Sequence, residues 1–176
     1  LNPYYEIDYS ETVTRLGDWS PSDVNPLAVT DETLKIARGE TGTVLPNHRF
    51  RTLEGKIVRL HEIEGPVLIN RWATWCPPCI TEIPHLNDIH RRFGDRVTLL
   101  GVTGEKPGTV RSFLRDHRID YKIWRQPSPT PVPYRHYRSL PFTFLVDGKH
   151  RLVKVVRGAR TASAWEQLIR THLLNS

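Results

Sequence analysis

The chain is poor in the residues that build a metal site. Its 176 residues include two cysteines, Cys76 and Cys79, and zinc at that spacing needs a second pair of ligands. No third cysteine exists. Of the eight histidines only His85 and His90 lie three to five residues apart, and a spacing of five puts them on different faces of a helix. No metal is therefore expected. Long apolar runs are missing too: nothing approaches the roughly 18 residues a membrane-spanning helix needs. The chain begins at Leu1 rather than Met, so the expectation is a mature or trimmed form that has lost a signal or membrane tether. Signatures of nucleic-acid binding are absent as well, although the formal charge is +6. Arg111, Arg115 and Arg118 fall on one face of a predicted helix and are read as a solvated face, with no nucleic-acid partner.

What is present centres on Trp72-Ala73-Thr74-Trp75-Cys76-Pro77-Pro78-Cys79. The stretch follows an apolar, strand-like run (Val67-Leu68-Ile69) and opens a helix-like segment. Cys76 is thus placed at a helix N-terminus, where free backbone N–H groups and the macrodipole favour negative charge and lower a thiol pKa. Pro77 suits the first turn, where its missing N–H costs nothing. Cys79, one turn on, can close a disulfide with Cys76. So small a loop constrains little of the unfolded chain and makes a poor structural staple. It suits exchange chemistry instead: an exposed, activated Cys76 attacks and Cys79 resolves the mixed disulfide.

The length and a composition of 38% hydrophobic and 25% charged residues fit one globular domain with an appendage. Residues 1–42 read as an N-terminal extension, turn-rich and aromatic (Tyr4, Tyr5, Trp19), with its rings docking in cis. It holds one short predicted helix at 31–38, capped by Thr30 and stopped by Gly39. From residue 43 to 176 the pattern is that of a domain. Leu53-Glu54-Gly55 turns a hairpin between residues 48–52 and 56–60. A strand at 67–72 leads to a helix whose apolar face carries Ile80, Ile83, Leu86, Ile89 and Phe93, kinked at Pro84 and ended by Gly94. A strand at 96–103, a helix at 107–118 and a short strand at 121–124 follow. Residues 126–133 read as a stiff proline-rich loop. Leu140-Pro141 precedes a hairpin of 142–147 and 152–156, and a last helix is predicted from the capping box Ser163-Ala164-Trp165-Glu166. Two strand–helix–strand units and an antiparallel hairpin imply a mixed sheet with helices on both faces.

These residues together resemble the TlpA/ResA/CcmG (DsbE-like) family of thiol–disulfide oxidoreductases. The shared pattern comprises the Leu-Pro start with Phe50 and Gly55-Lys56, the WATWCPPC core, Glu82 and Pro84, and Leu140-Pro141 ahead of Phe-Thr-Phe-Leu-Val-Asp. The likeness covers residues 43 to 174. It implies a thioredoxin-like three-layer α/β/α fold with a mixed central sheet, an N-terminal β-hairpin and an N-terminal extension. It also implies an extracytoplasmic protein-disulfide reductase acting in cytochrome c or copper-protein assembly. Such a protein needs no cofactor beyond its redox-active Cys76–Cys79 pair. Its partners are disulfide-containing proteins and an upstream thiol reductant of membrane-protein type.

By the same resemblance Cys76 is the attacking thiolate, Cys79 the resolving thiol, and Glu82 the active-site glutamate that takes the resolving proton or tunes both thiols. Pro141 is the cis-proline. Trp75, Pro77 and Leu140 face the substrate, Leu140 through its backbone. Asn70 stands where thioredoxin proper has a buried aspartate. Arg71, in a usually apolar place, and the long proline-rich stretch depart from the pattern. Three rivals stay open: a cytosolic tryparedoxin- or nucleoredoxin-like electron carrier, a copper-binding assembly factor using both thiolates with His136 or His150, and an interaction domain with a vestigial CxxC.

Overall fold

Strand β3 (Val67–Arg71) and strand β6 (Phe142–Val146) are buried along nearly their whole length. Their apolar sequences suit the interior of a sheet covered on both sides. They pair antiparallel, Ile69 opposite Phe144. The computed structural model, which describes residues 29–126 and 130–174, sets them in one mixed sheet of seven strands. The order is β2 (Ile57–Arg59), β1 (Arg49–Thr52), β5 (Lys122–Arg125), β4 (Thr98–Thr103), β3, β6 and β7 (Leu152–Arg157). The three inner strands β3, β4 and β5 are parallel, so each step needs a crossover. Helix α2 (Pro77–Phe93) makes the first and helix α3 (Pro107–Phe113) the second. The N-terminal hairpin of β1 and β2 extends the same sheet, because Arg51 and Thr52 pair with Arg125 and Trp124.

Side chains alternate across the strands and divide the core in two. On one face Val67, Ile69, Val102, Phe142 and Phe144 pack beneath helix α1 (Asp31–Arg38) and helix α4 (Val132–His136). On the other, Leu68, Leu99 and Leu145 meet Leu86, Ile89 and Phe93 of α2 and Trp165 and Ile169 of helix α5 (Ala162–Ile169). The result is three layers. Helix α1 forms as expected: Thr30 and Thr33 exchange side-chain-to-backbone hydrogen bonds of 2.9 and 3.2 Å, and Gly39 takes the left-handed conformation at φ 76°. It is tied into the core, with Ile36 fully buried and its carbonyl accepting from the Tyr137 hydroxyl at 2.8 Å.

Four local expectations change. Helix α3 ends at Phe113 rather than near residue 118. Asn87 donates to the Arg118 carbonyl and accepts from the Asp120 N–H, which holds the approach to β5 extended. Arg111, Arg115 and Arg118 therefore share no helix face, though all three are exposed. Within the expected loop 126–133, Pro131 caps and Pro133 opens α4, positions where a missing N–H is harmless. The last helix is capped by Thr161, whose hydroxyl accepts from the Ala164 N–H; Ser163 already lies in the first turn. Its Glu166 pairs with Arg92 and Arg170 instead of reaching back to the cap. The docking expected of Tyr4, Tyr5 and Trp19, and residues 127–129 of the proline-rich stretch, lie outside the described residues.

Candidate active site

The site is built where β3 ends and α2 begins. The Trp72 N–H is held by the Val102 carbonyl of β4 at 3.0 Å, so the chain leaves the sheet at a fixed point. Cys76 is the N-cap of α2 and Pro77 its first residue. The Cys79 N–H points at the Cys76 sulfur, 3.3 Å away, an unpaired donor of the first turn directed at the atom that carries charge in a thiolate. The two cysteines form a disulfide, with Cα atoms 5.3 Å apart.

Exposure differs from the sequence reading. Cys76 is 3% exposed and Cys79 2%, so the oxidised pair presents little surface. Both belong to an apolar cluster with Trp72, Ala73 and Val110, against which Leu140 packs. Exposed instead is Trp75, at 71%, with Pro77 and Pro78 beside it. Leu140-Pro141 is a cis peptide, as expected. The Pro141 carbonyl accepts from Gly158, whereas the backbone of Leu140 has no hydrogen-bond partner among the described residues. An unpaired, half-buried backbone beside the disulfide offers an extended segment a place to pair.

Behind the disulfide lies a buried polar chain. Glu82 sits one turn beyond Cys79 on α2 and is 1% exposed. Its Oε1 accepts from the Arg160 N–H at 2.8 Å and from the Trp165 indole N–H at 3.0 Å; its Oε2 accepts from the Asn70 amide at 3.1 Å. The same Asn70 amide donates to the Thr143 hydroxyl at 3.0 Å. Burial pushes the Glu82 carboxyl up to about 7, against the three donors and the Arg160 charge, which pull it down. Tyr121 also lies here. Burial, then the Glu82 charge, raises its pKa, and its hydroxyl has no hydrogen-bond partner among the described residues.

A second carboxylate, absent from the sequence reading, holds the other side of the loop. Glu105, just past β4, accepts from the Thr74 N–H at 2.8 Å and the Thr74 hydroxyl at 2.7 Å, and from the Thr103 hydroxyl at 3.2 Å. It clamps the residue that precedes Trp75 and Cys76. Only its place after an edge of β4 hints at this, because the contact spans 31 residues. Arg71 lies on the opposite face; burial lowers it to about 10, while Tyr134 and Glu105 favour its charge. Its Nε has no hydrogen-bond partner among the described residues.

The site thus unites Cys76, Cys79, Glu82, Pro141, Trp75, Pro77 and Leu140. His150, offered for copper, lies in the β6–β7 turn, stacked 4.3 Å from His61, with its Nε2 on the Ile63 carbonyl. That turn is at the opposite end of β6 from Pro141. His136 is exposed on α4. No cluster of three metal-ligating side chains occurs among the described residues.

Comparison with known proteins agrees with this geometry. The AhpC/TSA family model matches residues 41–173. The chain is 29% identical over 125 residues to the thiol–disulfide oxidoreductase ResA of Bacillus subtilis, covering 69% of this chain and 70% of that one. Among solved structures, a DsbF homologue from Corynebacterium diphtheriae is 25% identical with a TM-score of 0.64, covering 76% and 88% of the two chains. A secreted Mycobacterium tuberculosis disulfide oxidoreductase, homologous to DsbE, is 17% identical with a TM-score of 0.61, covering 81% and 99%, and shows the fold alone. The match over 133 of 176 residues, on a thioredoxin-like sheet carrying the cysteine pair at its helix junction, places this chain in the AhpC/TSA family as a thioredoxin-fold protein of the TlpA/ResA/CcmG type.

Proposed function

We propose that the protein is a thiol–disulfide oxidoreductase that reduces disulfides in partner proteins outside the cytoplasm. The observation that carries this is the cysteine pair at the N-terminus of α2, beside the unpaired Leu140 backbone and one turn from a buried carboxyl near neutrality. The reduced Cys76 thiolate attacks one sulfur of the target disulfide. A mixed disulfide forms and the target's other sulfur leaves as a thiolate. Cys79 then loses its proton to the Glu82 carboxylate and attacks the Cys76 sulfur. The Cys76–Cys79 bond closes, and the second target thiolate departs and takes up a proton. Two electrons have moved from the pair to the target. An upstream thiol donor, of membrane-protein type, returns the oxidised pair to dithiol.

The electrons reside in the two sulfurs, so the scheme uses no organic cofactor or metal. Glu82 suits its part because a group near 7 both accepts and releases protons at neutral pH. An extracytoplasmic place is what the family resemblance favours. No helix among the described residues is long and apolar enough to cross a membrane. Cytochrome c or copper-protein assembly is the target class that the family resemblance favours.

The test is the equilibrium reduction potential of the Cys76–Cys79 pair against a dithiol buffer at neutral pH. A value at or below the roughly −270 mV of thioredoxin supports the reductase; one near the roughly −120 mV of DsbA makes the protein a disulfide donor instead.

A further inference from the structure

The arginines of this protein are compensated very unevenly. All nine ion pairs among the described residues involve α1 and its cap, α2, α5, the β6–β7 turn or the segments 95–96 and 118–120. None involves Arg49, Arg51, Arg111 or Arg125. Strand register puts three of these on one face. Arg49 lies directly opposite Arg59 across β1 and β2, and Arg51 directly opposite Arg125 across β1 and β5. Residues 49 and 51 point the same way, so both like-charged pairs stack on the face that carries α2. Like charges directly opposed across an antiparallel pair are destabilising. The Arg51–Arg125 row accepts that cost with no ion pair to either arginine among the described residues.

Nearby acids among the described residues are committed elsewhere. Glu105 faces Thr74 and Thr103, Glu62 accepts from the Arg59 N–H, and Glu54 sits at the hairpin tip near Arg111. The guanidinium groups are steered by neutral carbonyls that leave their charge intact. Arg51 donates to the Gly55 carbonyl at 3.1 Å, Arg125 to the Glu105 carbonyl at 2.8 Å and Arg111 to the Leu53 carbonyl at 2.6 Å. Such pre-set forks bind carboxylates in two-point fashion. Ile57, opposite Arg51 and 45% exposed, adds an apolar contact in the same row.

The patch also lies at the catalytic end of the sheet. The row from Arg51 through Arg125 continues to Thr103, and the Val102 carbonyl beside it holds the Trp72 N–H at the entry to the cysteine loop. Three interstrand steps separate β1 from β3, about 14 Å at ~4.8 Å each. An extended chain advances ~3.3 Å per residue, so about four to six residues bridge that span.

We propose that the arginine face of β1 and β5 docks an acidic segment of the target protein, with its carboxylates about four to six residues from the cysteine engaged at Cys76. This rests on the reductase reading, since only a polypeptide engaged at Cys76 gives the spacing a meaning. A protein segment is favoured over a lipid surface because the rows continue toward the cysteine loop.

Two measurements on the full chain separate the two readings. The first is anisotropy of labelled peptides with serine in place of cysteine, one with three Asp or Glu at that spacing and one with Gln. The acidic peptide should bind about tenfold tighter at low salt, and Arg49→Gln with Arg51→Gln should erase the difference. The second is the rate at which reduced protein reduces the corresponding cystine peptides. The acidic peptide should react faster, and the double variant should keep the wild-type rate on the neutral one. Equal binding of both peptides overturns the docking face, whatever the reduction rates show. Preferential binding without reduction of either peptide keeps the face and removes the reductase. Sedimentation with phosphatidylglycerol vesicles, lost in the double variant while neither peptide binds, overturns the proposal in favour of a membrane surface.

Discussion

The two faces of the central sheet are built from different materials. Beneath α1 and α4 the core is apolar and aromatic. Phe144 touches Tyr134, Tyr137 and Phe142 with ring centroids 5.4 to 5.5 Å apart, and the polar side chains of Arg71, His48 and Thr33 lie around it. Beneath α2 and α5 the same strands contribute Thr143 and Asn70, which join Glu82 and Trp165 in one buried chain of hydrogen bonds. A buried carboxyl is costly, and every hydrogen-bond donor it accepts from here is a neutral group. The first face holds the sheet together; the second gives up some stability to keep a titratable group behind the disulfide. The lesson is that scaffold and chemistry divide by strand parity, residue by residue, within one sheet.

Four substitutions break or sharpen that contrast. The largest effect is expected at the disulfide itself. Cys76→Ser should abolish reduction of an insulin-type disulfide while leaving thermal stability nearly unchanged; turnover in that variant would remove the assigned nucleophile. Next is the scaffold face. Phe144→Ala should cost about 3–5 kcal/mol in denaturant unfolding and leave the reduction potential of the surviving folded fraction where it was. A potential that moved with it would show the faces to be coupled.

Glu82→Gln should slow the resolving step by about 10- to 100-fold, measured as accumulation of the mixed disulfide in rapid-quench experiments. The wild-type rate should rise with pH through about 7, as Glu82 becomes able to take a proton, and the variant should lose that rise. Stability carries the opposite sign. Because the folded pKa lies above the unfolded value, the folded state binds more protons between roughly 4.5 and 7. Wild-type stability should fall across that window by up to about 3 kcal/mol, and the variant should be flatter. A wild-type curve flat from pH 5 to 8 would argue that the carboxyl is not buried as described. The smallest effect is expected from Glu105→Gln, which keeps one acceptor for Thr74 and loses the other. About 1 kcal/mol of stability and a few-fold in rate should go, with faster amide exchange at Thr74 as the direct readout.

Much of the architecture was readable locally. A CxxC between an apolar strand and an amphipathic run specifies the strand–helix junction, because the period of apolar residues switches there. Glu82 came from the family resemblance, and helical spacing put it one turn past Cys79. The caps of α1 were readable for the same reason: Thr30, Thr33 and Gly39 act on neighbours within a turn. The misses share the opposite cause. Whether Ser163 or Thr161 caps α5 depends on where β7 delivers the chain. The end of α3 is decided by Asn87, on another helix. Pro131 and Pro133 read equally well as extended chain or as a helix start, and burial of Tyr134 selects the latter.

The sequence by itself determined that a cysteine pair would sit at a helix N-terminus in a mixed α/β sheet, since these properties follow from residue type and spacing. Only the tertiary structure decided what surrounds the pair. Glu82 meets Trp165 across 83 residues, Asn70 meets Thr143 across 73, and Thr74 meets Glu105 across 31. The Cys76 sulfur, expected to be exposed, lies in an apolar cluster with Val110 and against Leu140, both from distant parts of the chain. Local rules reach about one helical turn or one strand pair; the surroundings of the buried carboxyl, the clamp on the loop and the arginine rows of β1 and β5 exist because strand order brings distant segments side by side.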